Sequence, residues 1–101
     1  MKVVHKFRLE TDDRVNSLML RRGFKILRSE YVLTEKAVFL WIEVPLDVSA
    51  PNTEVHLRVF RTGSPIPKSY DYVTTAIDSF GPEAYHLYRR KSEEATLAAS
   101  A

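Results

Sequence analysis

The stretch Phe60-Arg-Thr-Gly-Ser-Pro-Ile-Pro-Lys68 separates two segments with a strand pattern. Before it, Glu54 to Arg61 alternates between apolar and polar residues, and this period of two predicts a half-buried β-strand. Gly63 can adopt the positive φ that a turn requires, and each proline lacks the N–H that a strand interior needs. The stretch therefore predicts a rigid connection between strands, and we expect Ile66 to pin this connection to the core.

The same period of two continues along the chain on both sides of this connection. Every glycine and proline falls between apolar stretches, where a turn is expected. No long segment has the 3.6-residue period of a helix, so we predict an all-β, mostly antiparallel fold, a small sandwich or barrel of about seven strands. The predicted strands cover residues 2–9, 15–20, 24–33, 37–44, 54–61, 72–80 and 83–90.

Residues 24–33 and 37–44 are expected to form a hairpin. Leu27, Tyr31 and Leu33 are predicted to face inward from the first of these strands. Thr34-Glu-Lys36 has the length of a hairpin loop. The first half of the chain is therefore predicted to contain a local antiparallel strand pair.

The composition indicates one small globular domain. The chain has 101 residues, of which 45% are hydrophobic and 28% charged, and a net charge of only +2. There is no cysteine for a disulfide framework or thiolate metal site. The longest apolar run, Ala37 to Ile42, is far shorter than a membrane span, and the first residues lack a signal-peptide pattern. We therefore expect a cytoplasmic protein with no membrane partner.

The end of the chain differs in composition from the rest. Residues 1–90 read as a single β-rich domain, whereas residues 91–101 are polar and Ala-rich. Ser92 followed by Glu93 and Glu94 suits the first turn of a helix. Isolated helices of this length are marginal in water. A short C-terminal helix and a disordered tail are both consistent with this segment.

Four segments resemble a small domain of unknown function that is common in bacteriophages and prophages. They are Lys2-Val-Val-His-Lys-Phe-Arg-Leu9, Ile26-Leu27, Leu40-Trp41 and Phe60-Arg-Thr-Gly-Ser-Pro-Ile-Pro67. The resemblance covers about residues 2–88. It implies a compact, β-rich, phage-encoded protein acting inside the infected cell, and it supplies no catalytic residues.

One residue departs from the pattern of that family. The family's loop element usually reads Gly-Thr-Gly-x-Pro-Ile-Pro, and Arg61 stands where its first glycine is usual. Arginine resists positive φ where glycine does not. Whether the turn keeps the same backbone conformation is therefore open at this point.

The sequence contains no motif that is specific for catalysis or metal binding. His5, His56 and His86 all lie on predicted strands, but none has the close paired spacing of a metal site. The adjacent acids Asp12-Asp13 and Glu93-Glu94 fall on a turn and in the tail, where carboxylates are usually solvated. There is no glycine-rich phosphate loop and no nucleophile elbow. We therefore predict a protein that is not an enzyme and uses no metal or cofactor.

The end of the last predicted strand carries a candidate basic patch, Arg89, Arg90 and Lys91. Aromatic residues interleave with these cations, as they do at nucleic-acid surfaces. Strand alternation sends Arg89 and Arg90 to opposite faces, which halves the patch. With the low net charge, this argues against nucleic acid as a partner.

The strand Ala37-Val-Phe-Leu-Trp-Ile-Glu-Val44 is apolar on both faces, although an antiparallel strand with one wet face should not be. Phe39 and Trp41 lie on the second apolar face. Either another part of the chain covers this face, for example the tail or the Pro-rich loop, or the face contacts another molecule. Both readings stay open from the sequence alone.

These observations favour a non-catalytic phage-type protein that binds and modulates or inhibits a host protein. The alternatives are a structural homo-oligomer and an oligomer that binds a small ligand such as a nucleotide. The candidate contact residues combine the two-faced strand with the Pro-rich connection. They are Phe39, Trp41, Phe60, Ser64, Pro65 and Pro67.

Overall fold

The computed structural model describes residues 1–91, which form seven β-strands in two antiparallel sheets. This confirms the all-β prediction and is consistent with a small sandwich. The predicted helix or disordered tail, beginning at Ser92, lies outside the described residues. The strands are β1 (Lys2–Leu9), β2 (Asn16–Arg21), β3 (Lys25–Val32), β4 (Ala37–Pro45), β5 (Asn52–Arg61), β6 (Tyr70–Ile77) and β7 (Ala84–Arg90).

The first sheet has the strand order β1-β4-β3, and the second has the order β2-β5-β7-β6. Alternate residues of each strand point into the space between the sheets. The two central strands of the second sheet, β5 and β7, and the central strand of the first, β4, supply most of the core. The core cluster consists of Leu9, Leu20, Val38, Leu40, Ile42, Val44, Val55, Leu57, Val59, Ala76, Tyr85 and Leu87.

The two sheets are joined along the side where β3 faces β6. The Ser29 hydroxyl donates to the Thr75 carbonyl oxygen at 3.4 Å and lies 3.4 Å from the Thr74 hydroxyl. Next to this contact, the rings of Tyr31 and Tyr85 stack with centroids 4.4 Å apart and planes inclined by 14°. Aromatic stacking and these hydroxyl contacts therefore close one side of the sandwich.

A β-bulge in β3 corrects the prediction for two of its side chains. The register against β4 shifts between Ile26 and Arg28. Because the extra residue interrupts the alternation, Leu27 does not face the core and is 45% exposed. Leu33 is 48% exposed because β3 has already ended. Of the three residues predicted to face inward, only Tyr31 packs against the core.

The sixth strand ends earlier than its sequence suggests. It stops at Ile77 instead of continuing to Phe80, whose side chain is 87% exposed. The Asp78 carboxylate accepts a hydrogen bond of 3.0 Å from the Phe80 N–H. Asp side chains stabilise turns in this way, and here the turn competes with the strand preference of the aromatic residue.

The Pro-rich connection leaves β5 through a turn at Gly63. Gly63 has φ 93°, and the Ser64 N–H donates to the Arg61 carbonyl oxygen at 3.0 Å. Arg61 is the last residue of β5 and pairs with Tyr85. Among the described non-glycine residues only Lys36 has a positive φ, so the turn does not require glycine at position 61.

The expected role of Ile66 is wrong. Its side chain is 37% exposed and lies outside the core cluster. The neighbouring Pro65 and Pro67 are also exposed, so the connection runs over the surface. The Tyr70 N–H returns the chain to the sheet by donating to the Pro67 carbonyl oxygen at 3.1 Å.

Gly63→Ala is expected to lower the free energy of unfolding by about 1 to 2 kcal/mol, because a Cβ is disfavoured at positive φ. No atom lies within 4 Å of the position that the Cβ would take, so the loss would come from the backbone alone. Gly63→Asn should cost less, since Asn tolerates positive φ. Urea unfolding of both variants measures this, and equal losses would contradict the interpretation.

Tyr85 is expected to make stability fall at high pH. Burial, with a hydrogen bond to Tyr31, raises the pKa of Tyr85 to about 12. An unfolded tyrosine titrates near 10, so the folded state holds this proton more tightly. The resulting stability is complete below about pH 10 and is lost as the pH rises through about 12.

Ultraviolet absorbance of tyrosinate, measured from pH 8 to 13, should show this late titration among the five tyrosines. Tyr85→Phe should remove it, and Tyr72→Phe should leave it in place. A late titration that persists in Tyr85→Phe would assign it to another residue.

Candidate interaction surface

The outer face of the first sheet carries Phe39 and Trp41 at its centre. Both residues lie on β4, and both are half-buried. In the register of the sheet, Trp41 lies between Lys6 of β1 and Arg28 of β3. Phe39 lies in the same way between Arg8 and Glu30. We call Phe39, Trp41, Lys6, Arg8, Arg28 and Glu30 the Trp41 face.

A charged side chain partly covers one of the two aromatic rings of the Trp41 face. The Lys6 ammonium lies 5.1 Å from the centroid of the Phe39 ring, within the range of a cation–π contact. Arg28 Nε donates to Glu30 Oε1 at 2.9 Å. Long cationic side chains can lay their alkyl stems over apolar surface while the charged group stays in water. This arrangement partly accounts for the apolar second face of β4, but it leaves both rings accessible.

Arg8 is held at the rim of the Trp41 face by two carboxylates. It donates to Glu10 Oε1 at 3.1 Å and to Glu35 Oε2 at 2.9 Å. These hydrogen bonds raise the pKa of the Arg8 guanidinium. Lys6 has no carboxylate within 4 Å among residues 1–91. An incoming acidic group would therefore meet Lys6 with its charge uncompensated.

Phe60 lies on the opposite side of the sandwich from the Trp41 face. It points to the outer face of the second sheet, yet it is only 3% exposed. The rings of Tyr70 and Tyr88 meet it edge to face at 5.5 and 5.4 Å, and the Arg58 guanidinium lies 4.7 Å from its centroid. The candidate contact residues Phe39, Trp41 and Phe60 therefore do not form one surface, and Phe60 is covered by its neighbours.

A hydrogen-bonded chain on this second outer face was not predicted from the sequence. His86 Nε2 lies 2.8 Å from Thr62 Oγ1, and His86 Nδ1 lies 3.0 Å from Thr75 Oγ1. The Thr75 hydroxyl is also 2.8 Å from the Tyr72 hydroxyl. In a neutral imidazole one ring nitrogen donates and the other accepts, so the two threonines fix the ring orientation.

Strand alternation was the available sequence signal for this series of hydrogen bonds, because it places His86 and Tyr88 on one face of β7. The alternation could not show that Tyr72 and Thr75 share this face. They are three residues apart, an odd number, and the register of β6 shifts between Tyr72 and Thr74. A bulge of this kind is not visible in the sequence.

Ser64 and Pro65 line a groove at one end of the second sheet. The groove has a volume of about 390 Å³, and its opposite wall is the turn after β1 that contains Asp12 and Asp13. Asp13 Oδ1 lies 3.6 Å from a terminal nitrogen of Arg58. Arg58 Nε is buried and has no hydrogen-bond partner among the described residues. The groove is thus lined by both acidic and basic side chains. Pro67 is exposed and does not line the groove.

The basic patch is divided as the strand alternation predicts. Arg89 pairs with the inward-facing Leu57, and its guanidinium lies 5.4 Å from the centroid of the Phe24 ring. Arg90 pairs with Tyr70 instead. The Lys91 N–H donates to the Ser69 carbonyl oxygen at 2.7 Å. These three cations do not form a continuous surface.

Neither a cluster suited to a metal ion nor a membrane-spanning helix is present in residues 1–91. His, Asp and Glu side chains in this range form no group of three or more that could hold a metal ion. In the same part of the chain, no helix has the length and apolar character needed to cross a membrane.

Comparison with known proteins identifies a family but no activity. Residues 1–98 match a family described as a domain of unknown function, DUF7352. The match covers almost the whole chain, so the chain belongs to this family. This confirms the expectation of a domain without an assigned activity. No curated protein and no solved structure matches the chain.

Proposed function

We propose that this protein acts by binding another protein through the Trp41 face. The observation that supports the proposal is the position of Trp41, half-buried at the centre of a sheet face and flanked by Lys6 and Arg28. Protein interfaces are enriched in aromatic residues and arginine, and tryptophan and arginine are prominent among the residues that dominate binding energy. In this proposal the protein has no catalytic role and uses no cofactor.

The charges of the Trp41 face favour an acidic partner surface. Of its three cations, Arg8 is paired with Glu10 and Glu35 and Arg28 with Glu30, which leaves Lys6 as the cation without a carboxylate partner among residues 1–91. Complementary charge at the rim of an interface increases the association rate and suppresses wrong partners. We therefore expect binding to weaken as the salt concentration rises.

The resemblance to phage and prophage domains supports a setting inside an infected bacterium. In that setting the partner is a host protein in the cytoplasm, such as a defence or regulatory factor, and binding modulates or inhibits it. Nucleic acid is disfavoured as the partner because the cations at the end of β7 are divided between two faces.

Trp41→Ala is expected to abolish capture of the partner while the fold is kept. The test is affinity capture from the natural host, with mass-spectrometric identification and then binding measured with the purified partner. We expect a loss of affinity of at least about tenfold, as for a central tryptophan in an interface. Circular dichroism and thermal unfolding check that the variant folds.

Tyr72→Ala is the matched control. Tyr72 is an aromatic residue that is 58% exposed on the opposite face of the sandwich. Its substitution should leave partner affinity unchanged within about twofold, the spread of ordinary surface substitutions. Equal effects of Trp41→Ala and Tyr72→Ala would contradict the proposal.

Light scattering over a range of protein concentrations separates this proposal from the homo-oligomer alternative. A large, defined assembly that Trp41→Ala disrupts would assign the Trp41 face to contacts between copies of the chain. Native mass spectrometry of the purified protein addresses the small-ligand alternative, because a retained nucleotide would add its mass to the chain.

A further inference from the structure

The strand β1 forms an open edge of the first sheet. Among residues 1–91 it pairs with β4 alone, through eight consecutive residues from Lys2 opposite Pro45 to Leu9 opposite Val38, without a shift in register. The other edge strands of the described chain are less regular. β3 and β6 each contain a bulge, and β2 has only six residues. Bulges and short length are common protections against unwanted strand pairing, and β1 has neither.

One hydrogen bond establishes which backbone groups of β1 are free. The Leu46 N–H donates to the Met1 carbonyl oxygen at 3.0 Å, so these opposite residues form a hydrogen-bonded pair. Hydrogen-bonded and non-hydrogen-bonded pairs alternate along an antiparallel ladder. The backbone groups of the odd-numbered residues Val3 to Leu9 therefore point to β4. Those pointing to the open edge belong to Lys2, Val4, Lys6 and Arg8.

Three of these four residues are cations, and their side chains share the outer side of the sheet with Trp41 and Phe39. Lys2 is paired with Glu43, and Arg8 with Glu10 and Glu35, whereas Lys6 has no carboxylate partner among residues 1–91. Lys6 therefore supplies the uncompensated positive charge of the open edge. Like charges that face each other across a strand pair are destabilising. A second copy of β1 would place its own cations against Lys2, Lys6 and Arg8. An added strand with acidic residues at every second position would instead be complementary.

The inner side of an added strand would lie over a groove that is lined mainly by apolar residues, together with the polar His5, Arg21 and Asn52. This groove lies between the edges of the two sheets and has a volume of about 240 Å³. Val3 and Phe7 contribute to it from β1, and Met19, which is 63% exposed, contributes from β2. The residues of an added strand that alternate with its acidic ones would face this groove, since side chains alternate between the two sides of a strand.

We propose that the open edge of β1 binds an extended segment of a partner protein in which acidic residues alternate with apolar residues. Backbone hydrogen bonds to Val4 and Lys6 hold the segment, and the groove receives its apolar side chains. This is the strand-addition mode of peptide recognition. The site shares Lys6 and Arg8 with the Trp41 face, but it does not require Trp41 to contact a partner.

The probe is a fluorescein-labelled peptide with the sequence Glu-Val-Glu-Leu-Glu-Val-Glu. A second peptide, with lysine in place of each glutamate, is its matched control. Fluorescence anisotropy at low salt should show that the acidic peptide binds at least about tenfold more tightly than the basic one, because only its charges complement the edge. Equal binding of the two peptides, or none by either, would overturn the proposal.

Three substitutions locate the bound peptide. Lys6→Glu should reduce its affinity at least about tenfold by charge reversal, whereas Lys25→Glu, on the far strand of the same face, should change it less than about threefold. Val4→Pro removes an N–H that points away from β4, so it should block peptide addition without breaking the ladder. Trp41→Ala should leave peptide affinity within about threefold, which separates this site from the proposed function.

Amide hydrogen exchange of the wild-type protein gives a readout that does not depend on any variant. The acidic peptide should slow exchange of the Val4, Lys6 and Arg8 amides and leave the edge amides of β2 unchanged. Protection elsewhere would place the peptide on another surface and overturn the proposal. A concentration-dependent dimer that Val4→Pro abolishes would show instead that a second copy occupies the edge, and would also overturn it.

Discussion

The packing of β4 against the second sheet is the contact on which the rest of the structure depends. Its four inward residues, Val38, Leu40, Ile42 and Val44, are all buried. Burial of such side chains contributes about 1.5 to 3 kcal/mol each, which is large beside the net stability of a domain of this size. Because β4 is the central strand, β1 and β3 are both positioned by hydrogen bonds to it. The same strand places Trp41 on the opposite side, so the two faces of β4 contribute to the core and to the proposed interface.

The aromatic residues are packed differently on the two outer faces of the sandwich. On the second sheet, Phe60 is enclosed by Tyr70, Tyr88 and Arg58, and a histidine held by two threonines continues this layer. The layer pairs both His86 ring nitrogens with hydroxyl groups and leaves little apolar area at Phe60, although Arg58 Nε has no hydrogen-bond partner among the described residues. On the first sheet, the residues of the described chain that lie opposite Trp41 on the neighbouring strands are the long, flexible Lys6 and Arg28. Flexible cover can move aside for a partner at small cost, whereas a packed aromatic layer cannot, and this difference favours the first sheet as the binding side.

Local sequence pattern was sufficient for the strands and for the split of Arg89 from Arg90, because both follow from a period of two. It failed where one extra residue changes the alternation, as at Leu27, since a bulge is stabilised by contacts with another strand. It also failed for Ile66, whose exposure depends on the path of a loop over the surface. The candidate site was only partly predictable for the same reason. Phe39 and Trp41 are two residues apart on one strand, but their separation from Phe60 by the whole sandwich depends on how the sheets stack.

The bulge at Leu27 has a consequence for stoichiometry. A sheet can polymerise only if both of its edges accept a further strand, because each added chain must offer a free edge to the next. In the first sheet the bulge distorts the β3 edge, and Ser29 ties that strand to Thr74 and Thr75 of the other sheet. A second copy added at the β1 edge would therefore present only its bulged β3 edge, and self-association through this sheet would stop at two chains. The protein can thus keep one regular edge with little risk of building fibres from the first sheet.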